Sequence, residues 1–217
     1  MTRMRTLLIT GATGGLGAEV VRQLRDEYEV VALYRSRDSF AALNVRGVQA
    51  DLGDTASVRA AVQSIGTPYG LVHLAGGFAP GRLLETTDEA WAEMLDLNLT
   101  AAFVAIRETL SVMERNAPGR IVVISSDAAR TKAPGSIAYT VAKSALNALV
   151  EVLAKELKGT AITANALMPT ALDTPAMRRE MPREQLVPLD RVAATLRFLL
   201  ADSGASVNGA LISLSAR

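Results

Sequence analysis

Tyr139-Thr140-Val141-Ala142-Lys143 places a phenol and an ammonium four residues apart. On a helix, positions i and i+4 share a face, so the two groups project together. A free tyrosine has a pKa of about 10 and is a poor base at neutral pH. A neighbouring ammonium favours the phenolate, which suits proton exchange with a carbonyl or an alcohol. Alone, this spacing is common on helix surfaces. Ser126 lies just upstream, after the apolar run Arg120–Ser125. If that run is a strand, Ser126 and the start of the tyrosine helix reach the same sheet edge, where a serine hydroxyl can hold a substrate oxygen beside the phenol. The competing reading of Ser126 is a local turn hydroxyl.

A second segment suits phosphate. Thr10-Gly11-Ala12-Thr13-Gly14-Gly15-Leu16-Gly17 follows an apolar run and opens an amphipathic one. Glycines there permit a tight turn, a close backbone approach to a pyrophosphate, and close helix–strand packing. The spacing is T-G-x-x-x-G-x-G rather than G-x-G-x-x-G. The end of the next strand selects the nucleotide: an acid there binds a ribose 2′-hydroxyl, an arginine a 2′-phosphate. Here the chain reads Tyr34-Arg35-Ser36-Arg37 with no acid. Guanidinium geometry fits phosphate.

The elements that must position these groups follow from periodicity. Apolar, β-branched runs at Thr6–Thr10, Val30–Tyr34, Gly47–Ala50, Leu71–Ala75, Arg120–Ser125, Ala161–Ala166 and Ala210–Leu214 read as strands buried on both faces. Amphipathic stretches at Leu16–Asp26, Thr55–Ile65, Glu89–Asn116, Ile137–Leu157 and Asp190–Leu200 read as helices between them. Thr86 with Glu89 reads as a capping box. The alternation predicts an α/β fold: a doubly wound parallel sheet of about seven strands, helices on both faces, with right-handed crossovers. The connection Ser36–Arg46 leaves little room for a crossover helix. Thr174–Pro188, after the sixth strand, reads as a short substrate lid on a single domain spanning residues 1–217.

Composition removes other classes. Lys plus Arg is 23 against 22 Asp plus Glu, so no basic footprint argues for nucleic acid. There is no cysteine and one histidine, which excludes thiolate metal sites, disulfides, cysteine nucleophiles and paired-histidine metal sites. No unbroken apolar run reaches the ~18 to 20 residues of a membrane span. The short apolar start, Leu7 to Ile9, does not read as a signal peptide. A cytoplasmic chain with no membrane partner is the expectation.

Taken in order, these motifs resemble the short-chain dehydrogenase/reductase family over essentially the whole chain. Its glycine motif matches Thr10, Gly11, Gly15 and Gly17, with Thr13 and Leu16 in the same turn. Its acid after the third strand matches Asp51, followed by Leu52. Its N-N-A-G motif corresponds to His73-Leu74-Ala75-Gly76, followed by Gly77. Its relay asparagine corresponds to Asn98, and its serine, tyrosine and lysine to Ser126, Tyr139 and Lys143. Its nicotinamide-side segment corresponds to Pro169-Thr170-Ala171-Leu172-Asp173-Thr174. The resemblance implies a Rossmann-type fold and hydride transfer between a nicotinamide cofactor and a small-molecule carbonyl or alcohol.

Tyr139 would then be the acid/base, Lys143 its tuner and a ribose ligand, Ser126 the substrate-oxygen holder and Asn98 the relay support. Tyr34, Arg35 and Ser36 would meet the adenosine half, with NADP expected and NAD the alternative. The long helices Glu89–Asn116 and Ile137–Leu157 resemble those that pair subunits in this family, so a homodimer or homotetramer is expected. Two departures stand out: His73-Leu74 replaces paired asparagines, and Thr170 replaces a glycine. His73 is read as a structural polar residue, the bracing hydrogen bonds being supplied otherwise. The C-terminal third, through Thr170–Pro175 and Arg178–Pro182, resembles dihydropteridine reductase. A dihydropteridine reductase-like activity and a non-catalytic NADP-sensing regulator on the same fold are therefore the alternatives.

Overall fold

The computed structural model describes residues 4–182 and 185–216. Its β-branched runs form seven strands: β1 Thr6–Thr10, β2 Glu29–Tyr34, β3 Arg46–Gln49, β4 Gly70–His73, β5 Gly119–Ile124, β6 Ile162–Pro169 and β7 Leu211–Leu214. They pair in the order β3-β2-β1-β4-β5-β6-β7, every pair parallel. The expected doubly wound Rossmann-type α/β sheet is thus the fold. The chain order reverses between β1 and β4, which opens a crevice at their carboxyl ends.

Helices cover both faces: α1 Gly15–Leu24, α2 Arg37–Phe40, α3 Thr55–Ile65, α4 Asp88–Leu95, α5 Ala101–Val112, α6 Ala128–Thr131, α7 Ile137–Glu156, α8 Met177–Glu180 and α9 Leu189–Leu200. Strand alternation divides the core in two. Leu8, Val31, Leu71, Ile121 and Val123 face one layer with Val58, Leu146 and Val150 from α3 and α7. Leu7, Ile9, Val30, Val72 and Val122 face the other, with Val20, Leu24, Val192 and Leu196 from α1 and α9. Successive side chains of a strand point to opposite faces, so a continuous apolar run fills both layers.

Several boundaries differ from expectation. The single helix expected over Glu89–Asn116 is α4, a π-helical segment Asp96–Thr100, and α5. Its cap is Thr87, whose Oγ1 accepts from the Ala90 N–H at 3.2 Å. Thr86 Oγ1 instead donates to the Arg82 carbonyl, closing the preceding turn. The short Ser36–Arg46 connection holds only the single turn α2 and a 3-10 turn at Ala41–Leu43. β6 runs three residues past the expected end, because Leu167, Met168 and Pro169 pair in register with Ile212, Ser213 and Leu214 of β7.

Averaged hydropathy also qualifies the run-based exclusion of a membrane span. α7 is long and apolar enough to cross a bilayer by length and composition, and half of that window is buried inside the protein. Its apolar face packs on β5 and β6 through Leu146, Val150 and Leu153.

His73 resolves one departure from the family pattern. It is fully buried, and its Nδ1 lies 2.9 Å from Thr10 Oγ1. Thr10 and His73 are register partners on β1 and β4, so this bond braces the two strands at the reversal point. Burial first, and the nearby Lys143 charge second, push the imidazole down from 6.5 to about 3. The unfolded chain therefore takes up a proton below pH 6.5 that the folded chain refuses until about pH 3. Stability from this group is present above 6.5 and is lost as pH falls through that window, by up to ~1.4 kcal/mol per pH unit. Urea midpoints measured from pH 7 to pH 4 should fall more steeply for wild type than for His73→Gln. Parallel curves would show that His73 does not carry this penalty.

Candidate active site

The glycine turn closes on itself and on its neighbour strand. Gly11 has φ +66°, and a Cβ there would lie 2.6 Å from the Ala75 nitrogen. A Cβ on Gly17 would lie 2.1 Å from the Gly11 carbonyl oxygen. Both glycines are therefore required by packing, Gly11 also by its left-handed backbone. Gly14 caps α1 with no side-chain hydrogen bond, and no acid stands in the first turn. The leading N–H groups and the positive end of α1 are thus left to an anion. Gly15, at the first helical position, meets only the Thr174 methyl, at 3.2 Å.

A cleft of about 670 Å³ runs from this turn across the carboxyl ends of β4, β5 and β6. It brings together Gly11, Gly15, Leu16, Gly17, Gly76, Gly77, Asn98, Ser126, Tyr139, Lys143, Pro169, Thr170, Leu172 and Thr174. Other expected cofactor residues stand outside its lining. Thr13 is exposed on the glycine turn, and Ala75 packs behind Gly11. Tyr34, Arg35 and Ser36 end β2, beside β1. The Tyr34 ring is buried and stacked on Phe40 at 4.4 Å. Gln49 Nε2 donates to the Arg35 carbonyl at 3.0 Å, so the loop backbone is held while the guanidinium is exposed. Asp51 Oδ1 accepts from the Gly53 N–H at 2.9 Å and shapes its own turn, with Leu52 packed against the core.

Lys143 is the centre of the cleft floor. It is 4% exposed, and its Nζ donates to the Ile124 carbonyl at 2.9 Å. Burial without a carboxylate pushes the ammonium down to about 8. Its Nζ lies 5.8 Å from the Tyr139 ring centroid. A Cβ on Gly76 would meet Asn98 Oδ1 at 2.7 Å and Lys143 Nζ at 3.4 Å, so glycine there lets the β4 connection pass beside both. Asn98, fully buried in the π-helical segment, accepts from the Gly77 N–H at 3.2 Å and donates to the Gly77 carbonyl at 3.0 Å. It also donates to the Met94 carbonyl at 3.1 Å.

The phenol differs from expectation. Burial raises the Tyr139 pKa, and the facing Ser126 hydroxyl draws it part of the way back. The expected lowering by Lys143 is not the balance found, because the cost of a buried phenolate dominates. Ser126 Oγ also accepts from the Ala128 N–H at 3.2 Å, so the turn reading and the substrate-facing reading hold together.

Sequence reasoning missed three supports. Ser125 Oγ donates to the Lys143 carbonyl at 3.3 Å, tying β5 to α7. Lys132 Nζ donates to Ser144 Oγ at 2.7 Å and to the Ala129 carbonyl, tying α6 to α7. Phe78 lines the cleft and sets its ring edge-on to Tyr139, with centroids 5.1 Å apart. An aromatic directly after Gly76-Gly77, at a strand's carboxyl end, was the signal available for the last.

A doubly wound parallel sheet with an uncapped helix N-terminus at its reversal point, and a serine, tyrosine and lysine in the adjoining cleft, defines the class of dinucleotide-binding α/β proteins. The chain belongs to the short chain dehydrogenase family, whose profile matches residues 5–185. A crystal structure of a short-chain dehydrogenase/reductase family oxidoreductase from Burkholderia thailandensis is similar at 32% identity and a TM-score of 0.89, covering 98% of this chain and 91% of that one. Carbonyl reductase (NADPH) 2 of Sus scrofa is 30% identical over 96% of this chain and 94% of its own length. A structure of BdcA in complex with NADPH is 28% identical with a TM-score of 0.86, covering 98% and 93%. This chain is an oxidoreductase-family enzyme by that membership.

The glycine turn yields a prediction. Gly15→Val should keep the fold and lose dinucleotide affinity, since its new side chain meets only Thr174 and the space above the helix end. Gly17→Val should lose both, with overpacking costing about 2–3 kcal/mol. Urea unfolding and nucleotide titration of the two variants separate the outcomes. Equal affinity in Gly15→Val and wild type would place the phosphates elsewhere.

Proposed function

We propose that the protein is an NADP(H)-dependent oxidoreductase that interconverts a carbonyl compound and its alcohol. The observation carrying this reading is that Ser126, Tyr139 and Lys143 share one cleft whose other end is the uncapped N-terminus of α1. When bound, the dinucleotide supplies the hydride. Its fit rests on Gly15, where a side chain would stand in the cleft beside Thr174, and on the free helix end.

Within that reading, Tyr139 donates its phenolic proton to the carbonyl oxygen as the alcohol forms, and takes it back in the reverse direction. The raised pKa keeps the phenol protonated at neutral pH, as a donor requires. Ser126 holds the same oxygen from the β5 side. The Lys143 ammonium stabilises negative charge on the phenol oxygen once its proton has left. Asn98 fixes the Gly76-Gly77 backbone beside both. Arg35 and Arg37 make no ion pair among the described residues, which suits a 2′-phosphate. The NADPH named in the BdcA complex and in the pig carbonyl reductase supports the same choice. A homodimer or homotetramer belongs to the proposal, supported by apolar Phe103 and Val152 exposed on α5 and α7.

Two outcomes test the assignment. Tyr139→Phe should keep NADPH affinity and lose ~10² to 10⁴-fold in turnover. In wild type, Lys143 is charged below about pH 8 and neutral above it. Carbonyl reduction should therefore be level below that pH and decline as pH rises through it. Lys143→Arg should move the decline upward, because a guanidinium stays charged. A phenylalanine variant with near-full turnover, or a profile unmoved by the arginine, sinks the assignment.

Arg35→Ala tests the cofactor. A charge-assisted arginine–phosphate contact contributes about 1.5–3 kcal/mol, a ten- to hundredfold preference. The ratio of NADPH to NADH dissociation constants should shift by that factor in the variant. An unchanged ratio makes Arg35 a solvated loop charge.

A further inference from the structure

The substrate end of the cleft is built from three connections in sheet order. β5 lies between β4 and β6, so the Ser126–Thr131 connection is flanked on either side by those following β4 and β6. The middle connection supplies Ser126, Asp127 and Thr131; the flanking ones supply Phe78, Leu172 and Met177. A polar strip therefore runs between apolar side chains.

Phe78 is 65% exposed although its ring packs nearly perpendicular to that of Tyr139. An aromatic face left to water beside the proton donor is a surface that a substrate covers. Leu172 and Met177 are partly buried, and methionine adapts to a flat ring. Asp127 is largely withdrawn from water, its side chain 13% exposed. Its Oδ1 accepts from Arg130 at 2.9 Å, while Oδ2 has no partner among the described residues. A carboxylate oxygen left open on the cleft wall is an acceptor that a donor on a bound molecule can reach.

The charges settle the sign of the substrate. Among the described residues lining the cleft, only Asp127 and Lys143 are ionisable to a charge at neutral pH, and Lys143 is committed to the Ile124 carbonyl. On α8, Arg178 is taken by Asp173 through Nε at 2.5 Å and Nη2 at 3.1 Å. No free cation on these residues receives a carboxylate or phosphate at the reacting end.

Resting on the oxidoreductase reading above, we infer that the substrate is a neutral ring ketone, flat and apolar against Phe78 and Met177, bearing a hydroxyl or N–H donor directed at Asp127. The carbonyl meets Tyr139 and Ser126, and the ring system lies across the Phe78 side of the phenol. The Asp127 carboxylate, its other oxygen paired with Arg130, rewards the donor and offers an anion no partner.

The test uses the full-length protein with NADPH and a matched set: 2-tetralone, its ring-hydroxyl isomers, its ring-carboxylate isomers, a dihydropterin, and an open-chain ketone of similar mass. The best hydroxyl isomer should exceed the best carboxylate isomer by at least about tenfold in kcat/KM, the scale of one charge-assisted hydrogen bond. 2-Tetralone should exceed the open-chain ketone by about tenfold, the low end of what one apolar contact discriminates. Asp127→Asn should collapse the first ratio, and Phe78→Ala the second. Either ratio near one in wild type, or unmoved by its variant, overturns the substrate class while leaving the oxidoreductase reading standing. No turnover of any compound by protein that binds NADPH overturns both.

Discussion

An ammonium buried without a carboxylate organises this molecule. Lys143, held by the Ile124 carbonyl, sits where β5 ends and α7 begins its second turn. Desolvating a charge costs several kcal/mol unless polar groups surround it. The surroundings supply oxygen through the Ile124 carbonyl, which accepts directly from Nζ. The same positive charge, with burial, keeps His73 neutral behind it. A neutral imidazole can then serve as a strand brace at Thr10 without adding a second buried charge. Replacing Gly76 with any larger residue would press on Asn98 and crowd the Lys143 ammonium, so the backbone there is dictated by the ammonium as much as by any ligand.

The parallel sheet and most of its helices were legible because their signals are local, while the strand order came only with the structure. Apolar runs bounded by turns mark parallel strands, and the glycine-rich first turn fixes which end faces a ligand. The break of the α4–α5 stretch at Asp96–Thr100 was not legible, since its residues keep helical periodicity throughout. What interrupts it is Asn98 reaching across to the Gly77 backbone, a contact that exists only once β4 is in place. Thr86 and Thr87 illustrate the same limit at a cap. Both are threonines, and only the upstream 3-10 turn at Leu83–Glu85 decides which begins α4.

Of the site, the spacing of Tyr139, Lys143 and Ser126 was readable, but the electrostatic balance was not. Sequence spacing alone suggests that the lysine activates the tyrosine. Burial acts on both and pushes them apart, raising the phenol and lowering the ammonium. That balance depends on how completely β5, α7 and the β4 connection enclose the pair, which no spacing encodes. His73 shows the converse: its departure from the family pattern looked like a loss, and Thr10, its register partner, makes it a substitution of one brace for another.

The two ends of the cleft are made of different material, and this sets what each tolerates. At the α1 end the surface is backbone: N–H groups, Gly11 in the left-handed region, and Gly17 against a carbonyl. A side chain there displaces the turn itself. At the other end the surface is side chain, carried on three connections that the frame already holds by backbone bonds. Gly81 and Ser136 bridge the β4 and β5 connections, and Leu172 and Val187 bridge the two ends of the segment after β6. Phe78, Asp127 and Met177 hang from these anchored segments without themselves closing any strand or capping any long helix. Their replacement therefore changes what the cleft accepts before it changes whether the sheet forms. On the proposed reading, a cofactor end fixed by main chain and a substrate end written in side chains separate the two requirements physically.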